Sequence, residues 1–303
     1  MTAADTTVSC SLCGAGASLR YSGCEDLEYF LDASFDLYRC DECGLVFMHP
    51  LPTRAELPHL YPSNYHNFDP PKNPISRFLL HRYYEHQCAI ARKHMPEDGS
   101  LLEIGCASGD ILERMQHHGY DDVQGIELSL EACERAWGRG LKVFHGTLDE
   151  FETDQRFDMV FMSHVIEHVL DPVATVTKIA SLLKPGGVLY LETPNVGSLD
   201  ARLWKRSWGL IHYPRHLYLF DRSTARRLLE RGGLAVEDVS SQVNSCGWAL
   251  SLQSALRRRR LDRSRKPRSA YYPLLLLVFL PMNALDLCFG GTAFMAAIAR
   301  KPE

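Results

Sequence analysis

The stretch LLEIGCASGDIL, residues 101–112, decides how the chain is read. Leu101, Leu102 and Ile104 surround one carboxylate, Glu103, and two glycines follow with only small residues between them. Bare backbone at the mouth of a strand lets a nucleotide-like ligand approach closely, and glycine there also supplies the φ freedom that a strand-to-helix turn needs. Outward from this point, strands and helices alternate. LLEI leads to helix DILERMQHHG, VQGIEL to helix LEACERAWGRG, KVFHG to a short helix around LDEF, and FDMVFMS to helix VATVTKIASLL, after which KPGG opens strand VLYLETP. Such alternation predicts a doubly wound, mostly parallel α/β sheet that takes its ligand at the carboxyl ends of the strands.

Those strand ends carry the candidate ligand contacts. The first bears Glu103 and Gly105-Cys106-Ala107-Ser108-Gly109. The second ends in Gly125-Ile126-Glu127-Leu128, and a carboxylate there suits the paired hydroxyls of a ribose. The third ends in His145-Gly146-Thr147-Leu148, an edge for an adenine ring. A dinucleotide fingerprint would want G-x-G-x-x-G, but Ala107 and Asp110 stand at its third and sixth positions, and Asp110 would repel a pyrophosphate. A ligand with a cationic head and no phosphate, such as S-adenosylmethionine, fits this turn better.

Four of the ten cysteines form two knuckles, Cys10-Ser-Leu-Cys13-Gly and Cys40-Asp-Glu-Cys43-Gly. Two intervening residues let both thiolates of a knuckle face one ion, and the glycine suits the tight turn that follows. Residues 1–48 therefore read as a ribbon closed around a structural zinc held by Cys10, Cys13, Cys40 and Cys43, with no open position for catalysis. Seven prolines in residues 49–74 make that segment a linker or wrapping strip, in which Tyr61 and Tyr65 could cover a ligand. A helix follows over 75–95, so residues 49–98 join the ribbon to a catalytic domain over 99–303.

At 303 residues and 46% hydrophobic content, the chain can bury a full core plus one small module. The formal net charge of −4 advertises no nucleic-acid partner. No basic, then apolar, N-terminal run is visible, which points to a cytoplasmic, reducing setting.

Taken in order, EIGCASGDIL, GIELS, HGTLDEF, FDMVFMSHVIEHVLDP and LLKPGGVLYLETPN resemble the class I S-adenosylmethionine-dependent methyltransferases, in particular the branch of the ubiquinone-biosynthesis type. Many bacterial members of that wider group carry a CxxCG…CxxCG ribbon. The resemblance implies a seven-stranded Rossmann-like sheet. It places Glu103, Gly105, Cys106, Ala107 and Gly109 on the methionine and ribose side, Glu127 on the ribose hydroxyls and Leu128 against the adenine. It further implies Gly146, Thr147 and Leu148 at the base, and Ser163 and His164 close to the sulfonium. Alanine at 107, where the family most often has glycine, is small enough to preserve binding.

His164-Val-Ile-Glu167-His168 matches the H-x-x-E-H of a zinc peptidase, but FDMVFMS runs as a strand up to His164, and that motif needs one continuous helix. The stretch also resembles the metal-holding E-x-x-E-H of small-RNA 2′-O-methyltransferases. That likeness implies a divalent metal at His164, Glu167 and His168, with His212 or His216 as the distant partner. For a hydroxyl acceptor a base near neutrality is useful, and His216 and His164, then His212, are the candidates. The acceptor is expected to be a small molecule: a sugar, a glycan intermediate, a quinone-like lipid or a natural-product scaffold. An RNA methyltransferase and a non-catalytic cofactor-binding protein are the alternatives.

Residues 257–268 hold eight basic residues and one acid, followed by the apolar run 271–299. In the fold that the resemblance implies the last two strands pair antiparallel, and LAVEDVSSQV and TAFMAAIARKP look like that pair, so a single membrane span between them would put hydrogen-bonded neighbours on opposite sides of a bilayer. The segment 245–290 is therefore a helical insertion that packs on the protein, makes a homodimer, or touches a membrane peripherally through 257–290.

Overall fold

The computed structural model describes residues 8–61, 74–262, 268–269 and 271–303. Tyr65 and the central residues 263–267 of the basic run lie outside the described residues. The ribbon contributes β1 (Ala17–Glu25), β2 (Ser34–Cys40) and β3 (Val46–His49), and α1 (Pro74–His94) leads into the main domain. There β4 (Leu101–Ile104), α2 (Asp110–His117), β5 (Val123–Glu127), α3 (Leu130–Gly138), β6 (Lys142–His145), β7 (Phe157–Ser163), α4 (Pro172–Leu182) and β8 (Leu183–Pro194) alternate as expected. They are followed by α5 (Leu199–Trp204), β9 (Tyr218–Leu219), α6 (Arg222–Arg231) and β10 (Ala235–Gln242). The insertion forms α7 (Cys246–Arg258), α8 (Tyr272–Val278) and α9 (Met282–Cys288), and β11 (Phe294–Arg300) closes the sheet.

Seven strands lie in the order β10-β11-β8-β7-β4-β5-β6. The five from β8 to β6 are parallel, and β11 is antiparallel to both β8 and β10. The chain moves outward from β4 through β5 to β6, then returns to β7 on the other side, so the switch point opens above the carboxyl ends of β4 and β7. Burial on both faces explains the near-continuous apolar runs: every residue of β4 is buried, and Met159 to Met162 in β7 are fully buried. Local chemistry sets the helix starts. Ser129 accepts from the Ala132 amide, Asp171 from Ala174 ahead of Pro172, and Asp221 forms a capping box with Thr224. One expected element is absent: residues 148–150 form a turn rather than a helix, because Glu150 turns back to accept from both the amide and the hydroxyl of Thr147.

The ribbon does not stand apart. β3 pairs with β9, so the main chain supplies the fourth strand of the ribbon sheet, order β1-β2-β3-β9. Arg231 donates to the Leu12 carbonyl, and Arg206 to those of Ser22 and Gly23. A buried bidentate pair joins Asp26, after β1, to Arg215, at 3.0 and 3.1 Å. Tyr29 lies over the same guanidinium, 4.7 Å from its ring centroid.

Among the described residues, no helix is long and apolar enough to cross a membrane. The insertion packs through Tyr272, Asn283 and Asp286, the last accepting from the Trp248 indole. Leu274, Leu277, Val278, Leu280, Leu285, Leu287 and Phe289 are exposed, which leaves one side of α8 and α9 apolar and open.

Candidate active site

At the first strand end, Gly105 and Gly109 take φ of +74° and +82°, and Ala107 takes +48°. A Cβ on Gly105 would lie 2.4 Å from Val165, so the turn is fixed by close approach as well as by φ. The Cys106 side chain is buried against Gly125, which leaves only its backbone toward the turn. Glu127, at the end of β5, accepts from the Ala107 amide at 2.9 Å and from the Ser129 amide at 2.7 Å. Each of its oxygens keeps a lone pair for a further donor. Leu128 beside it is 66% exposed. Gly146 donates to the Glu127 carbonyl, which ties the third strand end to the second. In the HGTL stretch Leu148 is buried in the core, while Gly146 and Thr147 are half-buried.

Glu103 tests whether these residues fit S-adenosylmethionine. Its carboxylate is buried and one oxygen, Oε2, has no partner. Burial, then the charges of Asp110 and Glu127, push its pKa well above the usual carboxylate range. Three carboxylates around one glycine turn call for a cation and hydroxyl donors, which an ammonium tail and a ribose provide. The residues fit the group.

Beyond β7 the backbone turns sharply. His164 sits in the left-handed region, φ +56°, with its amide bound to the Glu192 carbonyl. Its Nδ1 lies 3.5 Å from Glu167 and its Nε2 3.5 Å from Glu192, two carboxylates whose side chains are 1% and 3% exposed. Burial alone would lower the His164 pKa, but the contacts to Glu167 and Glu192 outweigh it and raise it to about 10. His164 is therefore an imidazolium at neutral pH, and the trio carries one net negative charge. That suits it to face a sulfonium and unsuits it as a base. Thr193 donates to the other oxygen of Glu167 at 2.9 Å.

His216 has the opposite character. Its Nδ1 donates to the Leu210 carbonyl at 2.9 Å, which leaves the Nε2 lone pair 3.9 Å from Glu167 Oε1. Burial, then the nearby histidines 168 and 212, lower its pKa well below the ordinary value, so it is neutral. His168 is alike: Nδ1 lies 3.0 Å from the Arg215 carbonyl and 3.1 Å from the Tyr61 hydroxyl, and burial lowers its pKa to about 4. His212 is a strut instead. Its Nδ1 meets Glu28 of the ribbon at 2.5 Å and its Nε2 accepts from Arg215 at 3.1 Å. Glu167, His168 and His216 bring ligand atoms within 4.8 Å of one another. Of the residues that the metal-holding likeness implied, Glu167, His168 and the distant His216 form this group, while His164 lies outside it with its Nδ1 3.5 Å from Glu167 and its Nε2 3.5 Å from Glu192.

Several site residues gave no signal of their own. Tyr83 and Gln87 of α1 and Tyr190 of β8 all donate to Glu192 Oε2, at 3.2, 3.0 and 2.9 Å, and Tyr83 also lies 3.3 Å from the Ser163 hydroxyl. The i, i+4 polar pair on α1 and the lone carboxylate at the end of an apolar strand are the only traces they leave in the sequence.

The four knuckle cysteines converge, with all four sulfurs within 4.8 Å. Cys10 and Cys43 stand 3.7 Å apart and Cys13 and Cys40 3.4 Å, near the ~3.8 Å edge of a tetrahedron with ~2.3 Å zinc–sulfur bonds. Gly14 and Gly44 take φ of +80° and +81°. Burial raises the Cys40 pKa, but amides of Cys43 and Glu42 and the Cys13 thiol bring it down to about 7.

Residues 63–239 match the family described as "Methyltransferase domain". A ubiquinone biosynthesis O-methyltransferase of Cereibacter sphaeroides is 29% identical over 172 residues, 50% of this chain and 67% of that one. A protein of the same description from Coxiella burnetii is 32% identical over 121 residues, 38% of this chain, and the match spans only 49% of that relative. Among solved structures, a putative sarcosine dimethylglycine methyltransferase from Galdieria sulphuraria aligns with TM-score 0.52 at 14% identity, covering 75% of this chain and 87% of that one. Coclaurine N-methyltransferase aligns with TM-score 0.51 at 14% identity, covering 83% and 80%. At such identity the two structures bear on the fold alone.

Proposed function

The chain belongs to the methyltransferase-domain family as an S-adenosylmethionine-dependent enzyme, and we propose that it methylates a hydroxyl of a small-molecule acceptor, with His216 as general base. One observation carries the reading: a neutral imidazole whose Nδ1 is taken up by the Leu210 carbonyl turns its Nε2 toward the buried Oε1 of Glu167, 3.9 Å away, an oxygen that His164 Nδ1 also faces at 3.5 Å. The cofactor supplies an electrophilic methyl group on a sulfonium, held by Glu103, Glu127 and the turn from Gly105 to Gly109, with Leu128, Gly146 and Thr147 on the adenine side. Ser163 and the His164 trio sit at the end of β7 next to this turn, and their net negative charge favours the cationic centre. His216 takes the acceptor proton at Nε2, and Glu167 Oε1 stabilises the imidazolium that results. The O-methyltransferase relatives favour oxygen as the acceptor atom, and the acidic chain favours a small acceptor over RNA. The knuckle cysteines hold zinc, and the open side of α8 and α9 is the surface through which a homodimer or a peripheral membrane contact would form.

The test is transfer of labelled methyl groups to a panel of catechols, sugar phosphates and nucleotide-linked sugars. Glu167, His168 and His216 could instead seat a divalent cation, which would occupy His216 Nε2. As a base, His216 works with no metal beyond the ribbon zinc, and His216→Gln lowers kcat about 100-fold or more with KM for the cofactor unchanged. Activity that needs an added divalent cation, or a His216→Gln enzyme near wild-type rate, overturns the assignment.

A further inference from the structure

A small, solvent-open cleft with a cavity volume of about 30 Å³ lies on the seam between ribbon and main domain, lined by Glu28, Arg206, Trp208, His212, Arg257 and Arg258 among others. Two of its acids are paired, and the third, Glu25, bears on Arg258 by its charge. Asp26 is paired with Arg215 and Glu28 with His212, while Glu25 is exposed at the rim. Arg257 is engaged with Asp262 and the Leu27 carbonyl.

Arg206 and Arg258 differ. Among the described residues neither forms an ion pair; Arg206 donates to two ribbon carbonyls and Arg258 to the carbonyl of Arg206 itself. That bond ties the Arg258 side chain to the backbone of Arg206, and the buried Nε of Arg258 has no partner. Burial, then the charge of Arg206, lowers the Arg258 pKa. Two guanidinium groups that line one cleft, with donor capacity left over at Arg258, are the chemistry that a phosphoryl group accepts.

We propose that this cleft binds the phosphate or diphosphate of the methyl acceptor. His212 lines the cleft and its ring centroid lies 4.9 Å from that of His216, so the anion sits one side chain away from the base. The acceptor class that fits is a molecule whose hydroxyl is a few bonds from a phosphoryl group, such as a sugar phosphate or a nucleotide-linked sugar. The ribbon, through its loop after β1, is one wall of the substrate site.

The inference rests on the methyltransferase reading for the identity of the bound molecule as acceptor, and the experiment keeps the two apart. Inorganic pyrophosphate, inorganic phosphate and succinate are titrated calorimetrically into the zinc-loaded full chain, its Arg206→Gln, Arg258→Gln and Arg258→Lys variants, and the double Gln variant. S-adenosylhomocysteine is titrated into each as a control. Pyrophosphate is expected to bind the wild type, to weaken about tenfold or more in the double variant, and to be partly restored by lysine at 258, with affinity falling as salt rises. S-adenosylhomocysteine affinity is expected to stay within about twofold in every variant. Absence of pyrophosphate binding, equal binding by the double variant, or succinate binding as tightly as pyrophosphate overturns the proposal. If S-adenosylhomocysteine fails to bind while pyrophosphate binds, the cofactor reading falls and the anion site stands.

Discussion

Replacing Cys40 by serine is expected to release the zinc and abolish turnover, by about 100-fold or more, while S-adenosylhomocysteine affinity changes little. A structural zinc contributes about 10–16 kcal/mol of apparent binding free energy that is also folding free energy, so the ribbon should not survive the loss of a ligand. The cofactor and zinc sites are separable because, among the described residues, the hydrogen bonds of the turn around Glu103, Gly105 and Glu127 come from the main domain. The acceptor side is not separable. Asp26 and Glu28 of the ribbon hold Arg215 and His212, and the Arg215 carbonyl in turn positions His168. Unfolding the ribbon releases that loop and frees the β3–β9 edge. Elemental analysis, calorimetry and a methyl-transfer assay on one preparation check zinc content, cofactor affinity and turnover together. Full activity in a zinc-free variant would show that the ribbon only docks.

The second large effect is expected at Glu167. Glu167→Gln keeps the shape and the bond with Thr193 but removes one of the two charges that hold His164 protonated. Breaking a fully buried pair costs about 3–5 kcal/mol; His164 is 38% exposed, and solvent screening reduces this to about 2 kcal/mol, or a Tm lower by about 4–8 °C. The pH dependence has a fixed sign. His164 has a folded pKa raised from 6.5 to about 10, so its contribution is complete below pH 6.5 and is lost as pH rises toward 10. Glu167 is depressed in spite of its burial, chiefly by His164, so its contribution holds above 4.5 and is lost as pH falls through the folded pKa. In Glu167→Gln the alkaline loss moves to lower pH, and NMR titration of His164 should show its pKa down by a unit or more. An unchanged His164 titration would mean that Glu192 alone holds the proton.

Much of the fold was legible because the chemistry sits where periodicity breaks. A parallel strand is an apolar run, so Glu103 and Glu127 at strand ends stand out, as do the glycines that follow the first. The CxxCG knuckles are local, and the closing β10–β11 pair could be placed because the family resemblance implies it, which in turn excluded a membrane span between the two strands. What stayed hidden is pairing across distance. Asp26 finds Arg215 across 189 residues, and Gln87 finds Glu192 across 105, with no local pattern to announce either. The motif around His164 shows the same limit. Its spacing brings Glu167 to His164, but Glu192, which together with Glu167 makes His164 an imidazolium, comes from a different strand. LDEF read as a helix because its composition is helical; three residues cannot repay helix nucleation against the local bonds that Glu150 makes to Thr147.

Cofactor binding is tested most directly by calorimetric titration of S-adenosylhomocysteine into the zinc-loaded wild type and into Glu127→Gln and Glu127→Ala. One site per chain is expected, with affinity about 10-fold weaker in the glutamine variant and about 100-fold weaker in the alanine variant, from lost charged hydrogen bonds of roughly 1.5–3 kcal/mol. A folded wild type that does not bind, or an alanine variant that binds as well as wild type, would contradict the assignment of Glu127 and its glycine turn to the cofactor.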